Sequence, residues 1–128
     1  MIVDTSAVLA VLFDQPDAER YATALASLAR NRMSVANYLE AAIVIEGRAG
    51  EEGGHHLDAL VERAPIELIE VTVDHIRAAR SAWRRFGRGN HPAGLNFGDC
   101  FAYALADTSG EPLLFKGSDF ALTGIRAA

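Results

Sequence analysis

The chain has a single cysteine, Cys100, which excludes an internal disulfide framework and a cysteine-based zinc site. It has no apolar run approaching the ~20 residues of a membrane span, and no basic segment ahead of a hydrophobic stretch. We expect a cytoplasmic protein that does not engage membranes. There are no internal repeats, linkers or low-complexity tracts, and no G-x-G-x-x-G follows the first apolar segment, so a dinucleotide site is not expected there. Acidic residues are missing altogether between Asp74 and Asp99, although the chain as a whole is acidic, with net charge −5.

What is present suits one domain. The 128 residues are half apolar and 23% charged, an ordinary globular composition with enough chain for one sizeable core. The acid-free segment holds Arg77, Arg80, Arg84, Arg85 and Arg88, five of the twelve basic residues. An acidic protein with one cationic patch is the pattern to explain, because local patches decide where a polyanion docks.

Residues 1–4 (MIVD) form a short buried strand, and Thr5 and Ser6 are candidate caps for a helix running to about Phe13. Pro16-Asp17 opens a second helix to Arg30, with Tyr21, Leu25 and Leu28 at helical spacing. A brief strand at Arg32 to Ser34 precedes a helix from Val35 to Arg48. Gly47, Gly50, Gly53 and Gly54 then break the chain before another helix, His55 to Arg63. Ile66 to Val71 is a β-branched strand, and Thr72 caps a helix from Val73 to Phe86. On that helix Ile76, Ala79, Trp83 and Phe86 share a stripe suited to core packing, with Arg77, Arg80 and Arg84 on another face. A glycine-rich loop from Gly87 to Gly94 leads to Asn96, the cap of an alanine-rich buried helix from Phe97 to about Asp107. Pro112 to Phe115 is a last strand, followed by the turn Gly117-Ser118-Asp119. Strands alternating with helices imply an α/β domain with three α/β/α layers around a parallel sheet of four or five strands.

Ligands of parallel sheets collect beyond the carboxyl ends of the strands. Asp4 and Asp119 fall there, and Asp99 lies in the first turn of the alanine-rich helix. Each alone has a structural explanation as a cap, a helix-dipole partner or a turn residue. Glu40 is embedded in Asn37-Tyr38-Leu39-Glu40-Ala41-Ala42-Ile43-Val44-Ile45, where an unpaired buried carboxylate is costly, so it should be exposed, paired or metal-bound. Four converging carboxylates repel pairwise by about 4 kcal/mol at 4 Å and an effective dielectric of 20. They then need protons or a hard divalent cation, and all-oxygen ligation favours Mg²⁺ or Mn²⁺ over zinc. Such a site activates water against a phosphodiester, while the arginine helix holds the phosphate backbone.

The segments Met1-Ile2-Val3-Asp4-Thr5-Ser6-Ala7, Leu39-Glu40, Leu95-Asn96-Phe97-Gly98-Asp99-Cys100 and Leu113-Leu114-Phe115-Lys116-Gly117-Ser118-Asp119-Phe120 together resemble the PIN-domain family. The likeness is specifically to VapC-type toxins of bacterial toxin–antitoxin pairs, and it spans essentially the whole chain. It implies an acidic quartet of Asp4, Glu40, Asp99 and Asp119, with Asp4 and Asp99 as the principal Mg²⁺ ligands, and endoribonuclease activity on RNA. It also implies homodimers and a cognate antitoxin that occludes the site. One departure is Gly124 after Thr123, where many relatives carry an aspartate. Ser6 is a candidate hydrogen-bond donor to Asp4, or a plain cap. Lys116 is a candidate phosphate contact, or a partner for one of the acids. The arginine face suits RNA, an acidic antitoxin segment, or solvent. His55-His56, His91 and Cys100 have ordinary surface, turn and core explanations. Two rival functions remain. A receiver-like phospho-acceptor would want two adjacent acids after the first strand, where only Asp4 stands. A catalytically silent antitoxin-binding partner would not need the quartet.

Overall fold

The computed structural model describes residues 1–27 and 30–128. Its elements run β1 (Ile2–Val3), α1 (Thr5–Leu12), α2 (Ala18–Leu25), β2 (Asn31–Ser34), α3 (Val35–Arg63), β3 (Ile66–Ile69), α4 (Val73–Phe86), α5 (Phe97–Ser109), β4 (Leu113–Leu114) and a 3-10 turn, Phe120–Leu122. The four strands form one parallel sheet in the order β3-β2-β1-β4, with Ile2 opposite Arg32 and Leu113 and with Val3 opposite Leu114. Beyond β4 a single bridge pairs Leu113 with Ala127, so the C-terminal residues start a fifth position without forming a strand.

Side chains alternate across a strand, and here the alternation separates two cores. Ile2 and Leu113 face α4 and α5, packing with Ala79, Phe86, Leu95 and Tyr103. Val3, Leu114 and Met33 face the opposite side, with Val8, Tyr21, Ile45 and Leu57 from α1, α2 and α3. Helices thus cover both faces of the sheet, the three-layer arrangement expected. Among the described residues no helix is long and apolar enough to cross a membrane.

Several boundaries differ from the local reading. Of the cap candidates Asp4, Thr5 and Ser6, it is Asp4 that caps α1, because its carboxylate accepts the Ser6 N–H. The second helix ends at Leu25, and Leu28 lies outside the described residues. The two helices expected on either side of the glycines are both present within α3, separated by a kink at Gly50 (φ 65°, ψ −163°), and the second begins before His55. Gly53 stays helical, and a Cβ there would meet Ile45 and Ala49 at 2.9 Å, so its role is close packing rather than chain breaking. On α4 the stripe is only half in the core: Ala79 and Phe86 are buried, whereas Ile76 and Trp83 are 45% and 47% exposed.

Asn31 ties the start of β2 to its surroundings. Its buried Nδ2 donates to Leu25 O at 2.8 Å and to Ala64 O at 2.7 Å. Asn31→Ala would leave both carbonyls without that donor, and we expect a loss of about 2–4 kcal/mol. Urea unfolding measures it, and an unchanged midpoint would contradict the assignment.

Candidate active site

The strand order reverses direction beside β1: the chain steps from β1 to β2 and β3 on one side, and places β4 on the other. A crevice outside the carboxyl ends of β1 and β4 is therefore the expected ligand position. Asp4 leaves β1 there, and Asp119 follows β4 as the residue before the 3-10 turn. The same order differs from the 2-1-3-4-5 order of receiver-type sheets.

Asp4 is only 3% exposed. Its Oδ2 accepts from the Ser6 N–H at 3.0 Å and from Ser6 Oγ at 2.5 Å, while Oδ1 is buried with no donor. Ser6 Oγ in turn accepts the Lys116 N–H at 2.9 Å, joining the ends of β1 and β4. Burial pushes the Asp4 carboxyl up to about 7 from an ordinary 3.8; the Ser6 bonds oppose the shift, and the charges of Asp99 and Glu40 add to it.

Asp99 occupies the third position of α5, where its side chain accepts the Asn96 N–H at 3.0 Å and its own N–H donates to Asn96 Oδ1 at 2.9 Å. This capping box orients the carboxylate as it starts the helix. Burial raises the Asp99 pKa; the Asn96 bond opposes, Asp119 and Glu40 raise it further, and Arg88 lowers it. Glu40, on α3, lies against the first turn of α5 so closely that a Cβ on Gly98 would fall 1.9 Å from Glu40 Oε2. Asp119 is exposed. The charges of Asp99 and Glu40 thus act on Asp4, and those of Asp119 and Glu40 on Asp99.

A hard divalent cation suits this set: the donors are carboxylate oxygens alone, and the Asp4 Oδ1 is a buried acceptor with nothing to accept from. Among the described residues, no three His, Cys, Asp or Glu side chains are already gathered closely enough to hold an ion.

Other candidates fall elsewhere. Lys116 Nζ is engaged by Gln15 Oε1 (2.6 Å) and Asp17 Oδ1 (2.8 Å), away from the quartet. Arg77, Arg80, Arg84, Arg85 and Arg88 are all exposed. Arg77 pairs with Asp74, Arg85 lies 4.7 Å over the Phe86 ring, and the charge of Arg88 lowers the Asp99 pKa. His55 and His56 are exposed, and His91 Nδ1 accepts the Ala93 N–H within its turn.

Asn37 went unrecognised in the sequence. It is fully buried, and its Nδ2 donates to Gly98 O at 2.9 Å and more weakly to Glu40 Oε1 at 3.4 Å. Its backbone O accepts from Thr5 Oγ1 at 3.1 Å. It therefore connects α1, α3 and α5, the helices that carry or follow three of the acids. The available signal was an amide three residues before Glu40 in an apolar run, one helical turn away.

Comparison with known proteins identifies the family and the fold. Residues 1–125 match the PIN domain model. The chain is 55% identical over 127 residues to a protein of Mycolicibacterium smegmatis named Ribonuclease VapC, covering 99% of this chain and 98% of that one. It is 54% identical over 125 residues to Ribonuclease VapC30 of Mycobacterium tuberculosis, covering 98% and 95%. Among solved structures, VapC20 of Mycobacterium tuberculosis, described as a sarcin-ricin loop cleaving toxin, superposes with a TM-score of 0.80 at 18% identity, over 99% of this chain and 97% of that one. VapBC2 of Rickettsia felis, solved with a DNA fragment from its promoter, gives 0.77 at 13% identity, over 98% and 94%. With its parallel sheet, the match over residues 1–125 and these relatives, the chain belongs to the PIN-domain family, among the VapC ribonucleases.

Proposed function

We propose that the protein is a divalent-cation-dependent endoribonuclease that cleaves RNA phosphodiester bonds and serves as the toxin of a toxin–antitoxin pair. The observation that supports this most is the buried Asp4 carboxylate, unpartnered at Oδ1, beside Glu40 and Asp99 at the β1/β4 crevice. Asp4 and Asp99 would be the principal ligands of Mg²⁺, or of Mn²⁺ in its place, with Glu40 and Asp119 assisting. The bound ion supplies Lewis acidity, lowering the pKa of water and neutralising charge that develops on the phosphodiester.

The chain's own residues set up that chemistry. Ser6 fixes the Asp4 carboxylate with two bonds and leaves Oδ1 free to ligate. Asn96 fixes Asp99. Lys116 braces the β4 exit through its N–H to Ser6 and its ammonium to Asp17, so in this reading it supports the site rather than meeting RNA. Arg80, Arg84 and Arg88, with Arg77 and Arg85 beside them, hold the RNA backbone.

An antitoxin partner follows from the relatives solved as VapBC pairs. A homodimer fits the exposed apolar stripe Val35, Leu39 and Ile43 on α3, spaced one turn apart and accompanied by Phe97, 82% exposed. Cleavage of RNA by the purified protein tests the activity: it should need Mg²⁺ or Mn²⁺, stop with a chelator, and vanish in Asp99→Asn. Cleavage that survives both treatments would overturn the reading. Induced expression separates catalysis from silent binding, since equal growth arrest by wild type and Asp99→Asn would favour binding. Arg80→Glu with Arg84→Glu should raise the KM for RNA about tenfold and flatten its salt dependence. An unchanged KM would assign that face to another partner.

A further inference from the structure

We infer that Gly98 and Asn37 are positioning residues that seat the Glu40 carboxylate beside Asp99, an inference that rests on Glu40 belonging to the cation site. Gly98 is helical, with no positive φ to explain it, and helices favour alanine over glycine. What it provides is space. A Cβ at residue 98 would sit 1.9 Å from Glu40 Oε2 and 2.5 Å from its Cδ, so any other residue expels the carboxylate from the first turn of α5. The displaced group is the end of a flexible side chain, so the backbone need not move, only the acid.

Asn37 holds the other side of the seat. Its amide donates to Gly98 O at 2.9 Å and reaches toward Glu40 Oε1 at 3.4 Å, so α3 and the start of α5 are drawn together at the point where the carboxylate lies. The amide is completely buried and its Oδ1 has no donor, an unfavourable arrangement to keep if packing were its only purpose. Thr5 Oγ1 donates to Asn37 O at 3.1 Å, which ties the same residue to the helix that Asp4 caps. The spacing of Asp4, Glu40 and Asp99 is thereby set through one side chain and one missing side chain.

Gly98→Ala separates positioning from folding, because it should leave the thermal midpoint of the metal-free protein unchanged or higher. Its Mn²⁺ affinity, read by calorimetry, should fall about 10–100-fold, the usual effect of disturbing a ligand's support. At saturating Mn²⁺, kcat should fall while the KM for RNA stays at the wild-type value. Asn37→Ala should weaken Mn²⁺ similarly, but with a lower thermal midpoint. Wild-type Mn²⁺ affinity and kcat in Gly98→Ala would overturn the inference, as would a loss matched by a fall in its midpoint. Glu40→Gln is the control for the underlying reading. If it binds Mn²⁺ and cleaves like wild type, Glu40 is not in the cation site and both fail; if it is impaired while Gly98→Ala is not, the positioning role alone fails.

Discussion

Replacing Asp4 by Asn is expected to abolish RNA cleavage and, with metal removed, to make the protein more stable above neutral pH. The two effects share one cause. The carboxyl of Asp4 ionises near 3.8 when exposed but at about 7 in the fold, where burial disfavours its charge. Between those values the folded protein keeps a proton that the unfolded chain has lost, so stability falls as pH rises, and above 7 the whole penalty applies. The pKa difference corresponds to about 4 kcal/mol. Asparagine cannot ionise and can still accept from Ser6 with its carbonyl oxygen. Urea unfolding in chelator should therefore show Asp4→Asn more stable than wild type by up to about 4 kcal/mol at pH 8, with the gap shrinking to less than half of that at pH 5. Cleavage should fall by more than about a hundredfold, the upper range for losing a group that only supports a ligand. A variant no more stable at pH 8 would show that Asp4 carries no buried-charge penalty; one that still cleaves would remove it from the site.

Divalent cation is expected to stabilise the wild type strongly at pH 8 and much less at pH 6. To ligate, Asp4 must lose the proton that burial retains, so apparent affinity should drop about tenfold per pH unit below 7. Mg²⁺ at a hundredfold excess over its Kd at pH 8 contributes about 2.7 kcal/mol, and the same concentration at pH 6 about half of that. Thermal midpoints should rise by about 10 °C in the first case. Asp4→Asn should show little rise at either pH. An increase that ignores pH, or persists in Asp4→Asn, would separate the cation from this carboxylate.

Much of the candidate site is legible in the sequence because its acids follow local signals. Asp4 ends an apolar strand, Asp119 follows another, and Asn96 with Asp99 three residues on is a capping pattern that needs no tertiary information. The layered fold followed from strands alternating with helices. Local patterns say less where one residue has two roles: Asp4, Thr5 and Ser6 are all able to cap α1, and Asp4 does so while also standing as a candidate ligand. The glycines of α3 look alike in a row, yet only Gly50 leaves the helix, because Gly53 is packed against Ile45 and Ala49. Lys116 meets Asp17 rather than the quartet across 99 residues of separation, which no local pattern encodes. The contact between Gly98 and Glu40 is likewise tertiary: a helical glycine reveals its purpose only when α3 lies against it.

The claim on which most depends is that Asp4, Glu40, Asp99 and Asp119 serve one divalent cation. The most direct test is an anomalous-scattering map from crystals soaked in Mn²⁺. The expected result is a peak bonded to Asp4 Oδ1 and to an Asp99 carboxylate oxygen at about 2.0–2.2 Å, an ordinary hard-cation distance, with Glu40 and Asp119 in its surrounding shell. Mn²⁺ bound elsewhere, with the Asp4 oxygen still without a partner, would contradict it.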